Sequence, residues 1–235
     1  MNTLIFTDSD RLDTNLIRIA DHRLDHLIQV LNISPGDKIR VGELGGKMGR
    51  GTVSSLDAQA AILSVELTEA PPSKLPVSLV LALPRPKMLR RILRAIAEFG
   101  VGELHLINSY RVDKSYWGSP VLDGGKMQEY FIQGLEQACD TVLPRVYLHP
   151  RFKPFVEDTL PDLIVDRRAY TAHPGDYPAC PRGLSENVLV VVGPEGGFIP
   201  YEIDKLQHAG CEIVSLGQRI LRVENALLSL LGRLF

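Results

Sequence analysis

The sequence has 235 residues, of which 45% are hydrophobic and 23% are charged, as in a folded globular protein with one large or two smaller domains. Its formal net charge of −2 excludes nucleic-acid binding through bulk charge, so such binding requires a local basic patch. The apolar runs are too short to span a membrane, no secretory signal is visible, and the three cysteines are widely spaced, which together indicate a cytoplasmic protein.

Residues 1–70 have the pattern of a small β-barrel. Short strands are predicted at 4–6, 38–42, 51–55 and 60–67, with glycine-rich turns between some of them, and one helix is predicted at 21–31. Residues 71–76, with the sequence PPSKLP, are stiff and polar and are predicted to form a linker to a second domain.

Residues 77–235 alternate strands with helices, which predicts an α/β domain with a parallel sheet. The predicted strands are 77–83, 103–107, 146–148, 163–165, 188–192 and 212–215, and the predicted helices are 87–99, 123–139, 200–208 and 224–235. Phe99 is predicted to lie on the inward face of the first of these helices. The last helix is apolar over a wide surface, which favours a subunit interface, although a terminal helix packed deeply in a monomer has the same pattern.

Two glycine-bearing loops form the most informative stretch. Gly193-Pro194-Glu195-Gly196-Gly197 follows the buried strand 188–192, and Leu216-Gly217 follows the strand 212–215. We predict that these strands are neighbours, so that their carboxyl ends enclose a ligand crevice. An ordinary strand-to-helix turn seldom carries three glycines around a Pro-Glu pair. Glu202 is predicted to serve the start of a helix rather than the chemistry.

Two charged residues near these loops are candidates for contact with a substrate. Arg222 could hold a substrate carbonyl or phosphate, and Glu224 could pair with it or lie in the first turn of the last helix.

His22 and His26 are four residues apart, but no third ligand with recognisable spacing follows, so no metal site is predicted.

A basic stripe lies on the helix predicted at 87–99. It comprises Arg85, Lys87, Arg90, Arg91 and Arg94, with no acidic residue among them. A solvated face is the ordinary explanation, yet uncompensated like charges on one helix face repel, and contact with RNA phosphates would offset that cost. Four further cations on the predicted barrel could extend the surface, namely Lys38, Arg40, Lys47 and Arg50.

The sequence VVVGPEGGF followed by SLGQRILRVENA resembles the SPOUT-class RNA methyltransferases, and more closely the family that methylates N3 of a uridine in bacterial 16S ribosomal RNA. The resemblance implies a PUA-like barrel, an α/β domain with a C-terminal trefoil knot, a homodimer, and S-adenosylmethionine as cofactor. It assigns one wall of the cofactor site to Gly193, Glu195, Gly196 and Gly197. The other wall comprises Leu216, Gly217, Ile220, Leu221 and Arg222.

Methylation at uridine N3 requires removal of a weakly acidic proton, either by a general base or by stabilisation of the resulting oxyanion. With this chemistry implied, Arg222 is the candidate for stabilising the oxyanion, and Glu195 or Glu224 could be the base or orient that arginine.

The chain departs from the family pattern at several positions. Gln29 and Asn32 stand where arginines are common, Ala138 and Asn225 replace other typical residues, and Ile199 replaces the serine expected before Pro200. Two other functions therefore stay open: a non-catalytic RNA-binding or ribosome-assembly factor, and a methyltransferase for a different RNA or base.

Overall fold

The computed structural model describes residues 2–235, which form two compact units. The first unit extends to Ser73 and also includes Ile132–Leu143, whereas the second comprises Lys74–Phe131 and Pro144–Phe235. The change of unit after Ser73 falls within the segment 71–76.

The first unit is built on a six-stranded sheet. In chain order its elements are β1 (Leu4–Phe6), β2 (Arg11–Asp13), β3 (Leu16–Ile19), α1 (His22–Gln29), β4 (Lys38–Glu43), β5 (Met48–Leu56) and β6 (Ala61–Glu69), with a 3-10 turn at Asp8–Asp10. The strand order is β1-β4-β5-β6-β3-β2, and β1 pairs with β4 in parallel while the other pairs are antiparallel. Sequence analysis missed β2 and β3.

The core of this sheet lies against α1. Phe6, Ile17, Leu27, Val41 and Leu63 are fully buried together. Because β5 and β6 approach closely, a Cβ at Gly49 would lie 1.9 Å from the carbonyl oxygen of Glu66, so this strand position requires glycine. Residues 132–143 join the unit through backbone contacts, such as the bond from the Gly45 N–H to the Thr141 carbonyl (2.7 Å).

The second unit is an α/β domain. Its elements are β7 (Leu75–Ala82), α2 (Pro86–Glu98), β8 (Val101–Ile107), α3 (Gly124–Ala138), β9 (Arg145–His149), α4 (Phe152–Pro154), α5 (Leu160–Leu163), β10 (Arg168–Ala172), β11 (Val188–Val192), α6 (Pro200–His208), β12 (Glu212–Val214) and α7 (Val223–Leu234). A π-helical turn at Phe155–Thr159 joins α4 to α5, and 3-10 turns occur at Lys114–Gly118 and Pro120–Leu122. α3 is continuous and ends within the first unit.

All strand pairs in this sheet are parallel, in the order β12-β10-β11-β7-β8-β9. The α/β fold with a parallel sheet is therefore confirmed. The prediction that β11 and β12 are neighbours was wrong, because β10 lies between them. The predicted strand at 163–165 was also wrong: Leu163 ends α5, and the strand begins at Arg168. Short apolar runs do not separate strand from helix by periodicity alone.

Three helices, α2, α6 and α7, contact strands of the sheet, namely β8, β12 and β11. In α2 the buried residues are Leu89, Ile92, Leu93, Ile96 and Ala97, whereas Phe99 is 38% exposed just beyond the last turn, contrary to the prediction. In α7, Leu227, Leu230, Leu231 and Leu234 are buried within the chain itself, against α2 and β11 among other elements. Packing within the single chain therefore explains most of the leucines of this terminal helix, without a subunit interface.

Candidate functional site

A cavity of about 520 Å³ opens at the carboxyl ends of β10, β11 and β12. Three loops line it, because each of these strands continues into the cavity wall: Ala172-His173-Pro174 after β10, Gly193 to Phe198 after β11, and Leu216 to Leu221, without Gln218, after β12. Val192 at the end of β11, Val223 and Ala226 of α7, and Arg111 complete the lining. The size and mixed polar and apolar lining suit an organic ligand of cofactor size.

The loop after β11 needs glycine at three positions for different reasons. A Cβ at Gly193 would lie 3.1 Å from the Phe198 ring, and one at Gly196 would lie 2.8 Å from Cδ of Arg111. Gly197 has φ +71°, in the left-handed region that favours glycine. The backbone of the loop lines the cavity, and the side chains of Phe198 and Arg111 pack directly against the loop.

The Glu195 carboxylate lies at the start of α2. Its Oε1 accepts a hydrogen bond from the Arg85 N–H at 3.0 Å. Arg85 is the N-cap residue of α2, and its own side chain makes no capping bond. Glu195 thus supplies a negative charge at the positive end of a helix, which stabilises the helix.

Glu202 holds two backbone segments beside the cavity. Only 2% exposed, it accepts hydrogen bonds from the Tyr110 N–H (2.7 Å) and the Ile199 N–H (3.0 Å). The predicted structural role is confirmed, because Glu202 at the third helical position of α6 accepts from the N–H of the N-cap residue, Ile199. Through Tyr110, Glu202 also positions the neighbouring Arg111.

The loop after β12 is more exposed. Gly217 has φ +121° and Ile220 is 83% exposed. The loop is held at its base, where the Ser215 hydroxyl accepts from the Gly217 N–H (3.2 Å) and Arg233 Nη2 donates to the Leu216 carbonyl (3.0 Å). Leu216, Gly217, Ile220 and Leu221 line the cavity, as the first-loop residues Gly193, Glu195, Gly196 and Gly197 do.

The structure does not bring Arg222 and Glu224 into the cavity lining. Arg222 is exposed and is the N-cap residue of α7, and Glu224 is half-buried in the first turn of that helix. Of the three predicted catalytic residues, only Glu195 lines the cavity.

Arg111 and His173 are among the cavity residues that sequence analysis missed. Arg111 donates a hydrogen bond from Nη1 to the Gly196 carbonyl. His173 is anchored by the bond from its N–H to the Val214 carbonyl (3.0 Å), and its Cε1 lies 3.7 Å from where a Cβ of Gly197 would be. Burial, and then the positive charge of Arg111, lower the pKa of His173 below its ordinary value of 6.5. The only local signal was the His-Pro-Gly sequence that directly follows β10.

The predicted RNA-binding cations fall into two sets, one in each unit. On α2, Arg85, Lys87, Arg90 and Arg91 are exposed, while the half-buried Arg94 places its guanidinium 5.0 Å from the centre of the Tyr130 ring. In the first unit, Lys38, Arg40, Lys47 and Arg50 are exposed. The β4–β5 register puts Arg40 directly opposite Arg50, and the β5–β6 register puts Glu66 opposite Arg50 on its other side. Arg40 also lies 3.1 Å from Sγ of Cys139.

No group of three or more His, Cys, Asp or Glu residues within 2–235 is arranged to hold a metal ion. Over the same range, no helix has both the length and the apolar character that crossing a membrane requires.

Comparison with known proteins identifies similar chains over nearly the full length. The RNA methyltransferase domain family matches residues 71–234. The ribosomal RNA small subunit methyltransferase E of Treponema pallidum is 29% identical over 96% of this chain and 87% of its own, and that of Synechocystis is 28% identical over 89% and 69%. The fold is shared with the Neisseria gonorrhoeae ribosomal RNA small subunit methyltransferase E bound to S-adenosyl methionine, at a TM-score of 0.76 and 21% identity over 98% and 95% of the two chains.

Proposed function

Because the chain belongs to the RNA methyltransferase domain family, we propose that it transfers a methyl group from S-adenosylmethionine to N3 of a uridine in 16S ribosomal RNA. The observation that carries this proposal is the cavity whose walls are two glycine loops at the carboxyl ends of parallel strands. The choice of ribosomal RNA follows the names of the relatives, and the choice of uridine N3 follows the family resemblance of the two loops.

The cavity residues fit S-adenosylmethionine in two respects. Gly193, Gly196 and Gly197 line the cavity without side chains, so their backbone groups face it, as binding an adenosine through the main chain requires. Leu216 and Leu221 offer apolar contact, and a similar fold from Legionella pneumophila is described in complex with the bound cofactor. When bound, this cofactor supplies an electrophilic methyl group on a sulfonium. We assign its binding to Gly193, Glu195, Gly196, Gly197, Leu216, Gly217, Ile220, Leu221 and, at the margin, Arg222.

The predicted catalytic residues have unequal support. Glu195 is in the cavity lining, but its Oε1 is engaged by the Arg85 N–H, which favours a role in orienting the loop. Arg222 and Glu224 lie outside the cavity lining. We therefore assign them a part in catalysis only through the position of the second loop and of the start of α7.

The architecture implied by the family belongs to the same proposal. We assign the first unit, with its curved six-stranded sheet, to a PUA-like barrel that binds RNA, and the second unit to the methyltransferase domain. A C-terminal knot is part of the architecture that the family resemblance implies; in that region the Cys180 N–H donates to the Ser215 carbonyl (2.9 Å) and the Gly183 N–H to the Arg233 carbonyl (3.1 Å). Dimerisation through the second unit and a cytoplasmic location follow from the family and the ribosomal substrate.

RNA contact is assigned to the two basic sets. On α2, the exposed Lys87, Arg90 and Arg91 form no ion pair among the described residues, whereas Arg50 lies opposite Glu66 in the β5–β6 register, so the α2 set has the greater need of added negative charge. Phosphate groups of the substrate would provide it.

The proposal is tested first by calorimetric titration of the folded protein with S-adenosylmethionine, where absence of binding would reject it. Nucleoside mapping of ribosomal RNA from a deletion strain tests the target, because loss of 3-methyluridine is expected. Loss of a different modified nucleoside would instead identify a methyltransferase for another base.

A second candidate function is a ribosome-assembly factor that retains the fold without catalysis. It is favoured by Gln29, whose exposed side chain offers no cation where the family commonly has arginine, and by Asn225, exposed in the first turn of α7. Cofactor binding without methyl transfer to any ribosomal RNA would support this alternative.

A further inference from the structure

Two side chains pack on successive glycines of the first loop. The Arg111 guanidinium bonds to the carbonyl of Gly196 and its Cδ occupies the space beside that residue, while the His173 ring lies against Gly197. These residues come from different parts of the sheet, the segment after β8 and the end of β10. Both segments are fixed, the first through Glu202 and the Tyr110 N–H and the second through the Val214 carbonyl.

Neither side chain has a carboxylate partner among the described residues. Arg111 uses one of its five donors on Gly196, and no hydrogen bond from the His173 ring nitrogens occurs within residues 2–235. The Tyr177 ring meets the His173 ring edge-on, with centroids 5.9 Å apart. The other charged groups of the cavity lining are Glu195, which is engaged at α2, and Arg219 of the exposed second loop.

We propose that His173 is the general base that removes the uridine N3 proton and that Arg111 stabilises the resulting oxyanion. This inference rests on the proposed function. The N3 proton passes to a ring nitrogen of His173, which becomes an imidazolium. The electron pair left on N3 forms the new bond to the methyl carbon, and the electrons of the broken carbon–sulfur bond remain on sulfur. The imidazolium then loses its proton to solvent.

The ionisation of these groups agrees with their roles. A base must be neutral before it can accept a proton, and both burial and the Arg111 cation keep His173 neutral at pH 7 by lowering its pKa. Arg111 stays charged and presents free donors where negative charge develops on a uracil oxygen. The same cation disfavours the imidazolium, so the arrangement favours rapid release of the proton after transfer.

The base is tested by His173→Gln, with His208→Gln as the matched control, since His208 is exposed on α6. Single-turnover methyl transfer to unmodified small ribosomal subunits should slow about a hundredfold in His173→Gln and be unchanged in His208→Gln. The wild-type rate should fall as pH decreases through a pKa below 6.5 and be level above it. In His173→Gln the rate should instead rise about tenfold per pH unit, because hydroxide must remove the proton. A full rate and a wild-type pH profile in His173→Gln would overturn the assignment.

The pairing with Arg111 has a readout that needs no catalysis. Titration of the His173 imidazole by NMR in the cofactor-free protein should give a pKa below 6.5, and this pKa should rise in Arg111→Gln but not in Arg111→Lys. Methyl transfer should fall about a hundredfold in Arg111→Gln and recover partly in Arg111→Lys. An unchanged His173 pKa in Arg111→Gln would show that the two groups do not interact.

Failure of the proposed function and failure of the base assignment give different experimental results. If the wild-type protein transfers no methyl group to ribosomal RNA, the proposed function fails. If the wild-type protein is active and His173→Gln retains its rate, only the assignment of the base fails.

Discussion

The two wings of the parallel sheet use their ionisable side chains in opposite ways. In the β7–β8–β9 wing, one ring nitrogen of His105 is hydrogen-bonded to one of His149 (3.0 Å), and Glu103 accepts from the Ser78 hydroxyl (2.5 Å). His105 also stacks on Tyr147, with ring centroids 4.8 Å apart. At the carboxyl ends of the β10–β11–β12 wing, His173 and Arg111, the latter reaching over from the segment after β8, face a cavity without a carboxylate partner among the described residues.

The comparison separates a structural histidine from a functional one. Burial lowers the pKa of both His105 and His173, so the direction of the shift does not distinguish them. Their surroundings do, because His105 is 3% exposed and enclosed by protein groups, whereas His173 borders a space that a ligand can enter. A perturbed ionisable group indicates function when it faces a cleft and structure when protein groups enclose it.

The largest expected effect concerns stability in the β7–β8–β9 wing. Burial lowers the pKa of His105 to about 4, so its folded value lies below the unfolded value of 6.5. Protonation therefore favours the unfolded chain, and the stability present above pH 6.5 is lost as pH falls toward 4, by up to about 3 kcal/mol. Urea unfolding at several pH values should show this loss in the wild type, and a smaller loss in His105→Phe.

The other wing provides the control for this prediction. His173→Gln should keep most of the wild-type pH dependence of the unfolding free energy while changing the pH dependence of methyl transfer. If His173→Gln removed the stability change and His105→Phe did not, the two histidines would have the opposite roles.

The next effect concerns Gly196. In Gly196→Val the new side chain meets Arg111, whose Cδ lies 2.8 Å from the Cβ position. We expect S-adenosylmethionine affinity to fall about thirtyfold, near 2 kcal/mol, in a calorimetric titration. Gly124→Val is the matched control, since a Cβ there meets nothing within 4 Å.

A double substitution identifies the cause. Adding Arg111→Ala to Gly196→Val removes the collision, so the two effects on cofactor affinity should be less than additive. Strict additivity would mean that the valine acts directly on the ligand rather than through Arg111.

A smaller effect is expected from the basic face of α2. Changing Arg90, Arg91 and Arg94 to Glu should weaken RNA binding roughly tenfold and reduce the slope of log affinity against log salt by about 3, with cofactor affinity unchanged. A variant with Arg145, Arg151 and Lys153 changed to Glu carries the same net charge. Equal weakening of RNA binding in both variants would indicate an effect of net charge alone. An unchanged salt slope in the first variant would show that the basic face of α2 is only a solvated surface.

The smallest effect is expected at Arg222. Because this exposed side chain lies outside the cavity lining, Arg222→Ala should change cofactor affinity by about 0.5 kcal/mol or less. Titration beside Arg111→Ala provides the comparison. A loss in Arg222→Ala that exceeds the loss in Arg111→Ala would restore the assignment made from sequence.

Local signals predicted the elements that are determined locally. The β-branched run Val188–Val192 and the proline at the start of α6 gave both elements with the bounds that the structure has. The glycine loop after β11 was also identified, because three glycines around Pro-Glu are seldom found in an ordinary turn.

The position of β10 and the contributions of Arg111 and His173 depend on tertiary structure. Arg168–Ala172 is short and of mixed polarity, and its insertion between β11 and β12 follows from the packing of the whole sheet. Arg111 and His173 are 62 residues apart and share no motif, so only the folded chain brings them to one loop. Arg222 was assigned instead because it is near the second glycine loop in sequence.

The most direct test of the account is transfer of labelled methyl groups from S-adenosylmethionine to purified small ribosomal subunits that lack the modification. Label in 3-methyluridine that appears about a hundredfold more slowly in His173→Gln and at the wild-type rate in His208→Gln is the predicted result. A protein that binds the cofactor but leaves the RNA unlabelled would contradict the account and favour an assembly factor.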